Sequence, residues 1–366
     1  MVIKSINKMT IKTTSKMKGN IKNVLMLVAI GITPILTGCK SGDPSFPDFE
    51  GGTTVYFPYQ YPVRTIVLGD DEYDTSMDKA HKCQIKATFG GSYNKSNGTV
   101  QVSVDNTLVN NLTFADGTPV KVMPSNYYSL STTSLAFNGT MNGTTEVQLS
   151  DAFFADPDAV KNTYVIPLVI VGQSGFDNIL TGTLAEGKEA VRTNAANWDV
   201  LPKDYVLYCV KFQNKYTGYW LTNHSTSTDN IENANIVQIK SKSLNEAIYT
   251  VTYQRDYGFI DEKGDVKIES RILSCDLLLS FNGSEQCTIT SLTPGYTASG
   301  SGSWTDNGEK LAWGNKDRDG MELNYTVDFG VDDLGNAIEK GVTHEKLVWQ
   351  RSGVTVEEFE PVYATE

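Results

Sequence analysis

Histidine is scarce in this chain, with three among 366 residues. That leaves little room for a multi-histidine metal centre or for several histidine-based general bases. Cysteine is nearly as rare, five in all, so no disulfide-dense scaffold is encoded. The apolar stretch at residues 24–36 has only thirteen positions and contains Pro34, too few to span a bilayer as a helix. Phosphate-cradling and dinucleotide-binding glycine loops are missing. Gly172-Gln-Ser-Gly175 lacks the spacing of a nucleophile elbow. Positive charge is short as well: 31 Lys+Arg face 43 Asp+Glu, a net −12. Six of the lysines (Lys4, Lys8, Lys12, Lys16, Lys18, Lys22) lie in residues 1–38, which hold no acid. Residues 39–366 therefore carry 25 cations against 43 acids, net −18. Such a surface repels phosphate backbones and excludes a nucleic-acid partner from the expectations.

The chain opens with an address. A basic segment, the apolar stretch 24–36 and small residues before Cys39 make a secretory signal. Leu36-Thr-Gly-Cys39 resembles the lipobox of bacterial lipoproteins, which implies a diacylglyceryl thioether at Cys39. Residues 39–50, with Pro44 and Pro47, read as a tether from the membrane. The expected organisation is a signal over 1–38, a tether over 39–50, one domain over 51–180, a linker over 181–197 and a second domain over 198–366.

Both domains alternate with period two. Val100, Val102 and Val104 share a face, and Tyr164–Val171 is a longer apolar run whose Pro167 predicts an edge or a bulge. Asp151–Lys161 alone reads as helical, cut short by Pro157. Asn-Gly, Asp-Gly and Gly-Gly turns between the runs predict an Ig-like antiparallel sandwich. In the second domain Tyr249, Val251 and Tyr253 alternate with threonines, and Met321 to Phe329 alternate without a break. About eight strands without room for crossover helices predict an antiparallel meander, closed as a lipocalin-like barrel or curled as a sandwich. The fold class is all-β. A two-residue Asn282-Gly283 turn would set Cys275 opposite residue 290 and Cys287 opposite residue 278, on opposite faces, so no disulfide is expected between them.

A family resemblance rests on Val104-Asp-Asn106, Met123-Pro-Ser-Asn-Tyr-Tyr-Ser-Leu130 and Tyr164-Val-Ile-Pro-Leu168 in the first half. In the second half it rests on Asn197–Tyr205, Thr217-Gly-Tyr-Trp220, Gly300-Ser-Gly302, Trp313–Asp319 and Gly353–Phe359. The first half resembles a domain of unknown function common in Bacteroidetes lipoproteins, which in some relatives precedes a family-18 endoglycosidase. The second half resembles a domain of unknown function often joined to it. The resemblance implies a lipoprotein of the outer membrane, exposed at the cell surface, that belongs to a polysaccharide-utilisation system. Its implied partners are oligo- or polysaccharides and outer-membrane glycan-import proteins. It carries over no catalytic residue and no cofactor.

The chemistry-bearing motifs are few. Asn315-Lys-Asp-Arg-Asp-Gly320 matches the first half of a calcium loop, but Thr326 stands where a bidentate Glu is required. A charged hairpin tip is expected there, and no metal is assigned. Sugars stack on exposed aromatic rings, so the tryptophans carry the site expectation. In Gly218-Tyr-Trp-Leu-Thr222 the pair Tyr219 and Leu221 reads as core, which turns Trp220 outward. Trp304 follows Ala298, Gly300 and Gly302 on its face and is either a shallow platform or core packed on glycine. Trp313 shares its side with Leu311 and reads as core. Trp220 and Trp304 are the expected carbohydrate-binding residues of a non-catalytic glycan binder. An assembly lipoprotein and a glycoside hydrolase are the alternatives.

Overall fold

The computed structural model describes residues 47–364, which fall within one compact unit. Cys39 lies outside the described residues.

The N-terminal part is a sandwich. One sheet orders Asn178–Ile179, Thr54–Tyr56, Lys82–Gly90, Asn142–Leu149 and Tyr128–Leu130. The other orders Glu357–Glu358, Pro62–Val67, Tyr205–Gln213, Tyr164–Ser174, Thr99–Val104 and Ser134–Ala136, with Lys121–Val122 beside Tyr164–Val165. Between the sheets lie Val55, Ile66, Ile85, Val100, Leu135, Phe153 and Ile166. The helical reading of 151–161 becomes an α-turn at Asp151–Ala155 and a 3-10 turn at Pro157–Val160.

The second sheet is buried on both faces, which explains the unbroken apolar run at Tyr164–Ile170. Tyr164, Ile166 and Leu168 face the sandwich core. Val165 and Val169 face a second cluster with Leu207, Cys209, Leu108, Leu112, Phe114 and Phe359. The segments around 106–122 and 357–363 thus form a cover layer over that sheet. Pro167 is in an inner strand, not at an edge. Its missing N–H is tolerated because the neighbouring strand stops at Val104, opposite Leu168. Asp105 N still donates to the Pro167 carbonyl at 3.0 Å, but the Asp105 carbonyl accepts from Leu108 N in a 3-10 turn and needs no donor from Pro167.

The C-terminal part is a closed eight-stranded barrel. Its strands are Gly218–Thr222, Asn235–Ser241, Glu246–Ile260, Val266–Phe281, Gln286–Ser291, Thr297–Glu309, Arg318–Asp328 and Gly341–Arg351. Neighbours in sequence pair antiparallel, and the last closes on the first through Leu221 opposite Val348. The barrel therefore begins later than residue 198, and Tyr205–Gln213 is an inner strand of the sandwich. It pairs with Tyr164–Ser174 on one side and, in parallel, with Pro62–Val67 on the other. The tail after the barrel also returns: Glu357–Glu358 pairs with Pro62–Val63, and Val362–Tyr363 with Leu112–Thr113. Residues 181–197 are anchored rather than loose. Thr183–Leu184 pairs with Trp198–Val200, and Arg192 meets the buried Asp204 at 2.9 Å.

The hairpin 246–281 outgrows the barrel. Its two strands stay paired from Glu246 opposite Ser280 to Ile260 opposite Val266. The next strand reaches only Leu277–Phe281 of the descending arm. At the other end five residues, Asn282–Gln286, lie between the last ladder partners, with Glu285 in the left-handed region at φ 59°. Phe281 therefore faces Cys287, correcting the two-residue turn. The register puts Cys275 and Cys287 on the same inner face, and both thiols are free and buried. Cys83 and Cys209 are free and buried as well, and burial pushes both thiols up to about 12.

Candidate binding cleft and its comparisons

The expected tryptophans are inside the barrel. Trp220 is fully buried and its Nε1 donates to the Tyr216 carbonyl at 3.1 Å. The parity argument for strand 218–222 reads the two faces the wrong way round, because the outer face is covered too. Leu221 packs there with Ile231 and Val348, and partly buried Trp313 lies against them. Tyr219 is covered by Arg351, 4.5 Å over its ring. Trp304 resolves to the glycine-packed alternative. It lies in the barrel core, edge-on to Tyr216 at 5.9 Å, with Lys215 Nζ 4.3 Å over its ring. A Cβ at Gly300 would sit 2.3 Å from the Asn324 carbonyl oxygen, so only glycine allows this close strand approach. Neither ring offers a platform to a sugar.

The barrel interior holds one acid that the sequence reading passed over. Glu345 is fully buried and accepts hydrogen bonds from Thr222 Oγ1 (2.8 Å), Tyr249 Oη (3.2 Å) and Tyr325 Oη (2.8 Å). His224 Nδ1 stands 3.3 Å from its other side, at the surface. Burial holds the Tyr249 and Tyr325 hydroxyls well above the usual phenol range, so both remain donors. A carboxylate saturated in this way is a polar knot in an apolar core. The alternation Thr343, Glu345, Leu347, Trp349 was the signal, placing an acid on the inward face.

Three carboxylates from two modules meet at one end of the barrel. Asp70 of the sandwich and Asp306 and Asp319 of the barrel each bring an oxygen within 4.8 Å of the others. Asp319 is buried and accepts from the Asn307 backbone N–H at 2.9 Å. Burial pushes its carboxyl up to about 6, against the opposing effect of that hydrogen bond. Asp317 of the same motif turns instead to Lys310, at 2.9 Å. Arg318 lies between the rings of Trp313 and Trp349, at 4.9 and 5.6 Å. The charged hairpin tip expected from 315–320 is therefore braced by arginine, and no metal is assigned to it.

A roomier cleft, about 780 Å³, opens in the sandwich where the cover layer meets the second sheet. Such a volume suits a small ligand. Its apolar floor holds Phe114 and Phe359, ring centroids 5.1 Å apart, with Pro119 and Val160. Its rim carries both signs. Lys161 meets Asp158 at 2.9 Å, and Lys211 meets Glu357 at 2.6 Å beside the cleft. Asn162 donates through Nδ2 to Glu357 at 3.0 Å, while its Oδ1 is buried without a partner. Asn162 is among the residues lining the cleft, and a buried acceptor is costly to leave unmet. No sequence signal pointed here, because residues near 114, 161, 211 and 359 meet only through sheet pairing and the returning tail.

Comparisons with known proteins follow this two-part build. A family model described as an N-terminal domain matches residues 49–177, and the domain of unknown function DUF5627 matches residues 208–353. No curated protein matches the chain. A Bacteroides ovatus protein of unknown function, solved by structural genomics, is 34% identical. The match covers 87% of this chain and 100% of that one, with a TM-score of 0.71. Weaker likenesses are to a Bacteroides ovatus multidomain protein including DUF1735 (11% identity, 84% and 99% coverage, TM-score 0.36) and to another Bacteroides ovatus protein of unknown function (10%, 81% and 89%, TM-score 0.34). The resemblance read from the sequence thus holds at the level of domains, and the chain belongs to the same family as the 34%-identical Bacteroides ovatus protein, joining that N-terminal domain to DUF5627.

Proposed function

We propose that this protein is a non-catalytic, surface-exposed outer-membrane lipoprotein that captures oligo- or polysaccharide for import, with the sandwich cleft as its binding site. The observation that carries this reading is the cleft's make-up. The exposed Pro119 and half-buried Val160, backed by Phe114 and Phe359, suit the C–H face of a sugar ring, while the lysines and carboxylates of the rim suit its hydroxyls. A hydroxyl donates to a carboxylate and accepts from lysine at once, which fits a rim carrying both signs.

The test is a multivalent glycan array followed by calorimetry on any hit. One glycan class should bind without being degraded. Lys161→Ala combined with Asn162→Ala should weaken it by about tenfold, since hydrogen bonds to charged and buried groups are lost together. A blank array would sink the capture reading, and an unchanged affinity in the double variant would move the site elsewhere.

A second reading, an assembly lipoprotein that docks a transporter or builds a surface fibre, is favoured by a different feature. The protruding hairpin arm leaves Ile260, Val266, Ile268 and Ile272 exposed on one face.

A further inference from the structure

The two edges of the protruding arm are treated differently. The edge of the ascending strand is covered by the loop around 330–340. Gly258 N donates to Asp332 Oδ2 at 3.1 Å, Asp333 N donates to the Gly258 carbonyl at 3.2 Å, and Arg255 Nε donates to the Glu339 carbonyl at 2.8 Å. The edge of the descending strand, residues 266–275, has no ladder partner on its outer side among the described residues. Its outward groups are known from its lower part, where Leu292 N donates to the Asp276 carbonyl and Asp276 N donates to Thr293 Oγ1. Pairing runs without a register shift up to Val266, so the even residues point their amides outward along the whole arm. Val266, Ile268 and Ser270 thus present open N–H and C=O groups. An edge in this state is a template for another strand.

Which strand it fits is written in its charges. Residues 265–271 read Asp-Val-Lys-Ile-Glu-Ser-Arg, with signs alternating −, +, −, + at the odd positions. Turned antiparallel on a copy of itself about Ile268, the segment sets Lys267 opposite Glu269 of the second copy. Asp265 then stands opposite Arg271 of that copy, and both pairs occur twice by symmetry. Shifted to centre on Glu269, it would set Glu269 against Glu269 and Lys267 against Arg271. One register is attractive throughout and the next is repulsive throughout. Edges protected against association carry charge that repels in every register.

The hydrogen-bond parity agrees with this register. Ile268 opposite Ile268 is a pair of outward-facing residues that exchange both backbone bonds, as do Val266 and Ser270 of the second copy. The charged odd residues fall at the non-hydrogen-bonded pairs, where side chains approach closest. Ile268 and Val266, both exposed in the single chain, gain apolar neighbours across the two-fold axis. The geometry points to a second copy of this chain as the occupant of this edge, paired antiparallel about Ile268 to continue the two-stranded arm into a four-stranded one. This inference is independent of the glycan reading.

The test is sedimentation equilibrium of the full chain in detergent, from micromolar to submillimolar concentration. The parent protein should show a reversible monomer–dimer equilibrium. Lys267→Glu alone and Glu269→Lys alone each turn attractive pairs into repulsive ones and should weaken the dimer by roughly tenfold. The double reversal restores opposite signs across the axis and should recover the parent affinity. All of these residues are exposed, so folding is not at stake. Register is read separately by oxidation. Cα atoms of a hydrogen-bonded antiparallel pair lie about 5.5 Å apart, within the roughly 4.4–6.8 Å that a disulfide spans. Ile268→Cys should therefore cross-link two chains above the parent background. Ser270→Cys should not, since its copies are offset by about 14 Å along the strands. A parent that stays monomeric at submillimolar concentration overturns the inference. So does a dimer indifferent to the single reversals, a double reversal that fails to rescue, or equal cross-linking at the two positions.

Discussion

The barrel and the sandwich solve the same burial problem in opposite ways. The barrel closes on itself and fills its interior with Trp220, Tyr249, Leu277, Leu323 and Trp304, with the buried Glu345 tied to three hydroxyls. The sandwich instead buries its second sheet under a cover layer made of segments far apart in sequence. A cover assembled from separate pieces does not seal completely, and the cleft beside Asn162 is the result. An eight-stranded barrel is just wide enough for side chains to fill. In this family member the candidate binding space therefore lies in the module with the less regular architecture.

The contrast can be broken experimentally, and the largest effect should come from the barrel. Trp220→Ala removes a fully buried indole and should cost about 3–5 kcal/mol in urea unfolding. A loss below about 0.5 kcal/mol, typical of surface positions, would return Trp220 to the outside. Glu345→Ala should cost about 3 kcal/mol, because the Tyr249, Tyr325 and Thr222 hydroxyls are left without their shared acceptor. Glu345→Gln keeps an acceptor and should recover part of that loss in the same measurement.

The next effect depends on pH. The Asp319 carboxyl is raised from an ordinary value near 4 to about 6 in the folded protein. The native state thus holds this proton more tightly than the unfolded chain does. Its contribution is complete below about pH 4 and is lost as pH rises through about 6, an effect on the order of 1–3 kcal/mol. Asp319→Asn should flatten the urea midpoint between pH 4 and 7 when chelator is present. An unchanged pH profile would remove Asp319 as the titrating group. The smallest effect on stability should come from the cleft. Lys161→Ala should stay within about 0.5 kcal/mol of the parent, because both Lys161 and Asp158 are well exposed.

Much of the fold was legible before any coordinates. The hairpin turning at Asp261–Asp265 and the unbroken alternation from Met321 to Phe329 are both barrel elements. The apolar run at Tyr164 was correctly a strand, but its place inside a sheet depended on where a neighbouring strand stops. The site was far less legible. Trp220 was assigned by assuming that one face of its strand must be wet, whereas Leu221 on the other face is buried under Ile231. Asn162 and Phe359 carry no local pattern at all that would mark a cleft.

The sequence by itself determined that the chain is built of strands, where most of them turn, and that its surface is acidic. Those properties follow from neighbours two to five residues apart, which backbone geometry converts directly into pleat and turn. Only the tertiary structure decided which face of each strand is interior, that Tyr205–Gln213 belongs to the sandwich, and that the tail returns to wall the cleft. Period-two alternation defines two faces without saying which is buried, and covering segments can bury both. Pairings across a hundred residues or more depend on the path of the whole chain, which no local pattern records.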